Sequence, residues 1–585
     1  MPDGWSRTAL PRGMRHPGRS AGSPFLTARL DHDVPGRVVF CRLENRPMNA
    51  RFSWSESRQR TAVVAVVLGL FIWVDLLLVR ALHVDGGADI DSINFGLSAI
   101  RFDLLQQQPH PPGYPGYVLG LKLIHWLAPS LGPLEIAEWG SRLCGLLCIP
   151  ASFWACRQFL DEPRGIARPL LAATLAALHP MLIKYGSDGQ SHAADALCTF
   201  LLFGATAVVV RRSTLARRLL LVAAFALAGA VRPNIPLLLS PMLIWVLWRR
   251  PWKEWLLAFL VGAVALSLWA VPLVALSGGW TLYRRATAAL LTDFYGATDS
   301  VFGVRATGKT VITNVNVAFV SAAIAAIPLV AWSRGRATWR RTLWATAALN
   351  VVFYATLYCA ETGYLIAVAA LSCLAPASWS PTLGRLLRGR LVLAIVLGPL
   401  FLFLAPASLP LIISSRIDLP SFSQAIARDS FQKAFRALMC DAAGGKSSLA
   451  LSDDPRMGAH RGVPLLCSNV LFASWLGSVD VDPPLDSLIM AGAQGMVALP
   501  TGIPLEAGPP ATYRVPVPVE RVLLAPDATA GFVDQISRQA LCPRLVEAER
   551  ALGEDRVLVW PARCFPRLQV GKNVLLLTAG SPVPP

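Results

Sequence analysis

The chain has 585 residues, of which 54% are hydrophobic and only 15% charged, with a mean hydropathy of +0.49. Soluble proteins carry about a quarter charged residues, so a chain this apolar needs many lipid-buried segments rather than one large core. Its net charge of +18 comes from arginines in short clusters between apolar runs; membrane topology uses arginine there, and no signature of nucleic-acid binding accompanies them.

Residues 1–60 are polar and hold eleven arginines. They read as a disordered, basic cytoplasmic tail with no cleavable leader, because no apolar stretch precedes residue 62. Met48 reads as an alternative start.

Apolar runs of spanning length follow near 61–81, 139–157, 168–185, 193–210, 218–232, 234–248, 254–276, 313–332, 342–359, 363–378 and 390–412. The loops between them sort by charge. Arg157–Arg168, Arg211–Arg218, Arg249–Lys253, Arg334–Arg341 and Arg385–Arg390 form an arginine-rich set, expected inside. Ser187–His192, Arg232–Asn234, Glu361–Gly363 and the loop near 277–312 form the alternate set, expected outside. Residues 113–128 resemble one more span, but crossing there would invert every later arginine cluster. That stretch is therefore expected to lie along the interface or re-enter from outside.

The predicted architecture is an all-α polytopic membrane domain over 61–413, with about eleven spans and a long, structured first external loop at 83–138. A small α/β soluble domain follows at 414–585, outside the cytoplasm. Its short apolar runs (Ser448–Leu451, Met496–Leu499, Val522–Ala525, Val557–Trp560, Val574–Leu577) alternate with helical stretches near 422–439 and 531–551. Cys440, Cys467, Cys542 and Cys564 lie there and allow one or two disulfides, with the pairing open.

The first external loop carries His83, Asp85, Asp89, Asp91 and Asp103, then His110-Pro111-Pro112-Gly113-Tyr114-Pro115. Carboxylates at a membrane surface suit a reaction whose acceptor hydroxyl loses a proton as it attacks, and the prolines force a turn that presents His110 near the acids. Solvated loop acids are the plainer alternative.

Asp91-Ser92-Ile93-Asn94-Phe95 followed by the His110–Pro115 turn resembles the first loop of the glycosyltransferase-C superfamily. The similarity is to bacterial members related to protein O-mannosyltransferases and aminoarabinose transferases. Glu138 with Arg142, His179-Pro180, Tyr185-Gly186 with Asp188 and Asp195, Arg232-Pro233, Ser277-Gly278-Gly279 with Tyr283, and Gly363-Tyr364 follow in the same order, over about residues 60–415. The family's usual Glu and Tyr are replaced here by Ser92 and Phe95.

The resemblance implies a polyprenyl-phosphate sugar donor and an acceptor hydroxyl on glycan, lipid or protein. The site would face away from the cytoplasm of a bacterial inner membrane. Asp91 would be the general base, inverting the anomeric carbon, with Asp89 as its neighbour or substitute. Arg232 would support the leaving phosphate, or simply snorkel to the interface. His110 and Tyr114 would bind phosphate or sugar hydroxyls. Asp188 and Asp195 would bind sugar or assist Asp91; Asp195 alternatively caps the following helix. Arg142 alternatively pairs with Glu138 one turn earlier. Arg284, with Arg285, Arg305 and Lys309, suits anionic head groups, and Glu361 and Tyr364 would border the donor cavity unless Gly363 marks a plain turn.

Gly303–Thr310 matches a phosphate-binding loop formally, but a spanning segment follows it and the site would face outside, so no nucleotide role is expected. A divalent cation is possible chemically, although no ligand spacing demands one. The competing function is a lipid or sugar transporter. It is disfavoured because the acids cluster at external span ends and no inverted repeat is evident.

Overall fold

The computed structural model describes residues 54–374 apart from 83–89, 105–107, 161–165, 290–307, 327–336, 358 and 360–361, together with the elements named below between 448 and 576. The expected span at 390–412, the helix at 422–439, Cys440 and Cys467 lie outside the described residues.

The membrane part is helical. Helices α1 (Trp54–Leu82), α2 (Ile90–Ile100), α3 (Pro115–Leu127), α4 (Pro133–Phe159), α5 (Ala167–Leu178), α6 (Pro180–Tyr185), α7 (His192–Arg211) and α8 (Leu215–Val231) come first. They are followed by α9 (Ile235–Leu238), α10 (Ser240–Leu247), α11 (Trp252–Leu276), α12 (Trp280–Ala289), α13 (Gly308–Ala326), α14 (Ala337–Leu357), a 3-10 turn at Thr362–Leu365 and α15 (Ile366–Cys373). The main core joins α4, α5, α7, α8, α10, α13, α14 and α15 through residues such as Phe200, Phe203, Phe225 and Ile366.

Two expected spans are broken rather than continuous. His179 is extended, Pro180 opens α6 at its first turn, and His179 Nδ1 accepts from the Met181 N–H at 3.3 Å. Proline has no N–H to continue α5 and a φ already suited to starting a helix. Pro236 and Pro241 likewise divide 234–248 into α9 and α10.

Among the described residues two helices, α7 and α11, are long and apolar enough to cross a membrane by length and composition. α11 makes the physical case more directly, because it is not covered by protein. Its 25 residues have a mean hydropathy of 2.3, and Phe259, Val264, Leu268 and Val271 are all exposed. At 1.5 Å per residue it is about 37 Å long, enough for the roughly 30 Å hydrocarbon layer with some tilt. Exposed tryptophans mark both ends, Trp248 and Trp252 at one and Trp280 at the other, where amphipathic rings settle at the interfaces. Residues 113–128 form α3, only 13 residues long. Asp75 is a buried carboxylate inside α1, which corrects the expectation that acids gather only at span ends.

Arginine contacts gather at one end of α7. At the Arg211 end of α7, Arg211 donates to the Leu160 carbonyl, Arg250 donates to Ser213 at 3.1 Å, and Arg218 pairs with Glu254 at 2.8 Å. At the His192 end, the loop of Asp188–Gln190 meets Ser92, Tyr117 and Ser141. A 20-residue helix separates the two groups.

Beyond the helices, seven strands form one mixed sheet in the order β4-β3-β2-β1-β6-β8-β7. These are β1 (Ser448–Ser452), β2 (Val470–Leu476), β3 (Ser487–Gly492), β4 (Gly495–Ala498), β6 (Arg521–Leu524), β7 (Arg550–Leu552) and β8 (Asp555–Pro561). β1 is parallel to both β2 and β6, and the other pairings are antiparallel. β5 (Thr512–Arg514), β10 (Asn573–Leu576) and β9 (Leu568–Val570) form a second sheet. The helix expected at 531–551 is shorter: α16 covers Ala530–Ser537, and β7 takes Arg550–Leu552. Cys542-Pro543 accounts for this, since Cys542 is bonded to Cys564 and proline cannot extend the helix.

Candidate active site

Asp91 stands in the first turn of α2, with Phe95 one turn further on the same face. The Pro111–Pro115 turn folds back over both. His110 Nδ1 lies 3.1 Å from Asp91 Oδ1, and its Nε2 lies 3.0 Å from the Tyr114 hydroxyl. Phe95 holds the turn by edge contacts with His110, Tyr114 and Tyr117, at centroid distances of 5.7, 5.1 and 5.0 Å. The turn needs unusual backbone: Gly113 has φ 106° and Tyr114 φ 45°. Left-handed φ at a bulky non-glycine residue is strained and persists only where its surroundings hold it. Asp91 stays about one-third exposed while His110 is 18% exposed, so the carboxylate is open to a substrate and the imidazole is set behind it.

The two departures from the family pattern have local reasons. Ser92 is fully buried and its hydroxyl donates to the Asp188 carbonyl. A Cβ on Gly189 would stand 3.0 Å from the Ser92 Cβ, and Gly189 has φ 82°, so the loop packs its glycine directly against position 92. Phe95 serves as an anchor that needs edges and faces but no hydroxyl. Asp188 receives the Gln190 N–H at 3.0 Å, turning the loop, while its carbonyl holds Ser92. Tyr117 donates to the Gln190 carbonyl at 3.1 Å and meets Ser141 at 3.2 Å. Burial pushes the Tyr117 phenol well above its ordinary range, which keeps it a donor.

A second cluster surrounds Arg232, the residue that ends α8. Its Nη1 is 2.6 Å from His192 Nδ1 and 3.6 Å from Asp195 Oδ2, and its guanidinium carbon lies 5.4 Å from the centre of the Tyr364 ring. Arg232 and Asp195 are 7% and 4% exposed. The His192 ring also lies tilted against Tyr185, with centres 4.8 Å apart, and edge-on to Tyr364 at 5.7 Å. Ser191 occupies the capping position of α7, so Asp195 is an ion-pair partner rather than the expected cap. Tyr185 closes the cluster: its hydroxyl is 2.9 Å from Thr362 Oγ1 and accepts the Gly363 N–H at 2.6 Å. A Cβ on Gly363 would come within 2.6 Å of the Tyr185 ring and 2.8 Å of His192, so glycine is needed for space rather than for turn freedom.

α3 joins the clusters. A Cβ on Gly116 would stand 3.0 Å from the Ala230 backbone, so Tyr114 and Arg232 enter the same neighbourhood from two touching helices. Tyr114 lies within electrostatic reach of the guanidinium, as do Tyr354 and Tyr364.

Other expected site residues fall elsewhere. Glu138 is buried on α4, and Arg142, one turn on, has its guanidinium 5.2 Å from the Trp139 ring centre. Arg284 is exposed on α12 and contacts neither cluster among the described residues. Asp89, Glu361 and Arg305 lie outside the described residues. The sequence offered Tyr185 only as part of the Tyr185-Gly186 motif, and it gave His192 and Tyr354 no role in the candidate site. The signal for His192 was present, since it precedes Asp195 by three residues and shares its helix face. Among the described residues no three His, Cys, Asp or Glu side chains are grouped to hold a metal ion. A carboxylate and imidazole at the surface and a buried guanidinium behind suit proton removal at one point and anion support at the other.

No family model and no curated protein matches the sequence. Among solved structures, apo ArnT from Cupriavidus metallidurans is similar with a TM-score of 0.50, over 86% of this chain and 98% of that one, at 14% identity. ArnT bound to undecaprenyl phosphate gives 0.49 over the same shares, also at 14% identity. The archaeal oligosaccharyltransferase AglB from Archaeoglobus fulgidus, in complex with an inhibitory peptide and a dolichol-phosphate, gives 0.35 over 66% of this chain and 58% of that one, at 15% identity.

Proposed function

Because the chain has the glycosyltransferase-C fold, we propose that it is a membrane glycosyltransferase acting on a polyprenyl-phosphate sugar. It moves the sugar to an acceptor hydroxyl on the extracytoplasmic side, with inversion at the anomeric carbon. Asp91 takes the acceptor's proton as the oxygen attacks. The bond from the anomeric carbon to the phosphate oxygen breaks, and Arg232, steadied by His192, Asp195 and Tyr364, stabilises the departing phosphate. The lipid chain runs along the apolar helices, and residues 61–413 make up the catalytic domain.

The observation that carries this reading is the packing of Gly116 on Ala230. It brings the helix that follows the His110–Tyr114 turn against the end of the helix that Arg232 terminates, which supports a carboxylate and a guanidinium acting on one substrate. For orientation, the arginine contacts gathered at the Arg211 end of α7 support a cytoplasmic face there. The Cys542–Cys564 bond supports an oxidising compartment for 414–585.

The test is transfer by purified wild type and Asp91→Asn in detergent, against a panel of radiolabelled polyprenyl-phosphate sugars with membrane extract as acceptor. Wild type is expected to transfer one sugar, and the variant to lose about two decades of rate. Equal rates remove Asp91 from the mechanism.

One observation favours a second reading as a lipid or sugar transporter: Asp75 is buried within α1, and ionisable residues inside spans mark transport paths. In proteoliposomes a transporter would move labelled donor across the bilayer with its sugar–phosphate bond intact, and Asp75→Asn would stop it.

A further inference from the structure

Lys184 is a second cation beside the aromatic cluster of Arg232. It is the penultimate residue of α6 and is half-buried. Its Nζ lies 4.8 Å from the centre of the Tyr185 ring and 3.5 Å from the Tyr185 hydroxyl. The same ring lies against His192, which accepts from Arg232. Two rings thus link the ammonium to the guanidinium. Among the described residues no carboxylate pairs with Lys184. A lysine in the last turn of a helix commonly turns to the final carbonyls or to water. This one lies over a fully buried ring instead, where its ammonium loses part of its hydration.

The charges of this cluster do not balance without a ligand. Arg232 faces Asp195 at 3.6 Å, so those two offset each other. His192 turns a lone pair to the guanidinium and adds no charge. The positive charge of Lys184 remains, and an anion that replaces its lost water is its natural partner.

We propose that Lys184 binds the negative charge that appears on the donor's phosphate as the sugar leaves. This rests on the glycosyltransferase reading above. The donor's phosphate is a diester with a single negative charge. The acceptor oxygen bonds to the anomeric carbon and its proton passes to Asp91. The bond from that carbon to the phosphate oxygen breaks, and its electron pair stays on the oxygen. The phosphate becomes a monoester with a second negative charge, and Lys184 meets it. An interaction that strengthens only as the bond breaks raises kcat rather than tightening donor binding. It also leaves the lipid phosphate product bound more tightly than the donor.

The test uses the purified full chain in detergent at about pH 8, with two short-chain polyprenyl lipids as probes, a phosphate monoester and its methyl diester. The monoester then carries the extra charge, because its second proton leaves near about pH 6. Wild type is expected to bind the monoester about tenfold or more tightly than the diester, the weight of one charge-assisted hydrogen bond. Lys184→Ala and Lys184→Gln should bind both lipids as wild type binds the diester, and Lys184→Arg should keep the preference. In transfer assays Lys184→Gln should lower kcat by a similar factor with the donor KM nearly unchanged. The proposal is overturned if wild type shows no preference for the monoester, or if Lys184→Ala keeps it. Equal weakening of both lipids in Lys184→Ala also overturns it, since the lysine then only supports Tyr185. If wild type binds neither lipid, the polyprenyl-phosphate reading itself falls and takes the role of Lys184 with it.

Discussion

Arg232 donates to Nδ1 of His192 at 2.6 Å. An arginine is always protonated and only donates, so this contact holds the imidazole with its lone pair on Nδ1 and its proton on Nε2. Nε2 is then the donating nitrogen of His192.

Arg232→Lys should therefore be no mild change. A lysine keeps the charge but loses the flat guanidinium that lies over the Tyr364 ring while one of its nitrogens meets both His192 and Asp195. We expect loss of donor binding, read as a raised donor KM, and a lower unfolding temperature in detergent. Asp195→Asn made in the Lys variant should recover stability without recovering turnover.

Ser92→Glu restores the residue that the related enzymes carry, and it should harm this one. The side chain would meet Gly189 and the Asp188 carbonyl, where Ser92 is fully buried. Overpacking alone costs about 1–3 kcal/mol, and a charge there adds more. Folded yield and transfer rate both measure it; a well-folded, fully active variant would show that the loop moves freely.

Gly363→Ala places a methyl group 2.6 Å from the Tyr185 ring. Since that ring lies tilted against His192 and its hydroxyl holds Gly363, the added methyl must push His192 away from Arg232. The expected outcome is a kcat loss of about tenfold or more with modest destabilisation, about 1–3 kcal/mol. Gly279→Ala, which meets no atom within 4 Å but sits at φ 99°, is a useful contrast, costing backbone strain alone.

Cys542→Ser should lower the stability of the strand region by about 3 kcal/mol, the value for a loop of this size. The bond joins residues 22 apart with Cα atoms 5.3 Å from each other. Peptide mapping without reductant should recover Cys542 and Cys564 in one linked fragment; two free thiols would contradict an oxidising location.

The positions of the helices were legible because long apolar runs are written along the chain. The contact of Asp91 with the His110–Tyr114 turn was legible because prolines leave the chain between them few other paths. What remained hidden is contact between elements. His192 meets Arg232 across 40 residues and Tyr185 meets Gly363 across 178, and nothing local to an apolar helix announces its partner. Breaks such as His179-Pro180 and Pro236 were visible as residues, but their effect depends on which neighbours accept the freed carbonyls. The short α16 was misread because the helical pattern continues past Cys542, where the covalent bond to Cys564 takes over.

α11 carries Leu273, whose methyl group a Cβ on Gly113 would approach to 2.7 Å. The strained turn thus rests on a long, exposed, apolar helix marked by tryptophan at both ends. A lipid's phosphate rides at the height of the head-group layer, whereas the turn rides at the height that α11 dictates. Membrane thickness is then a working dimension of this protein. On the proposed function, a bilayer a few carbons too thin or too thick would hold the lipid-linked donor and Asp91 at different levels, and turnover would fall with every residue still in place.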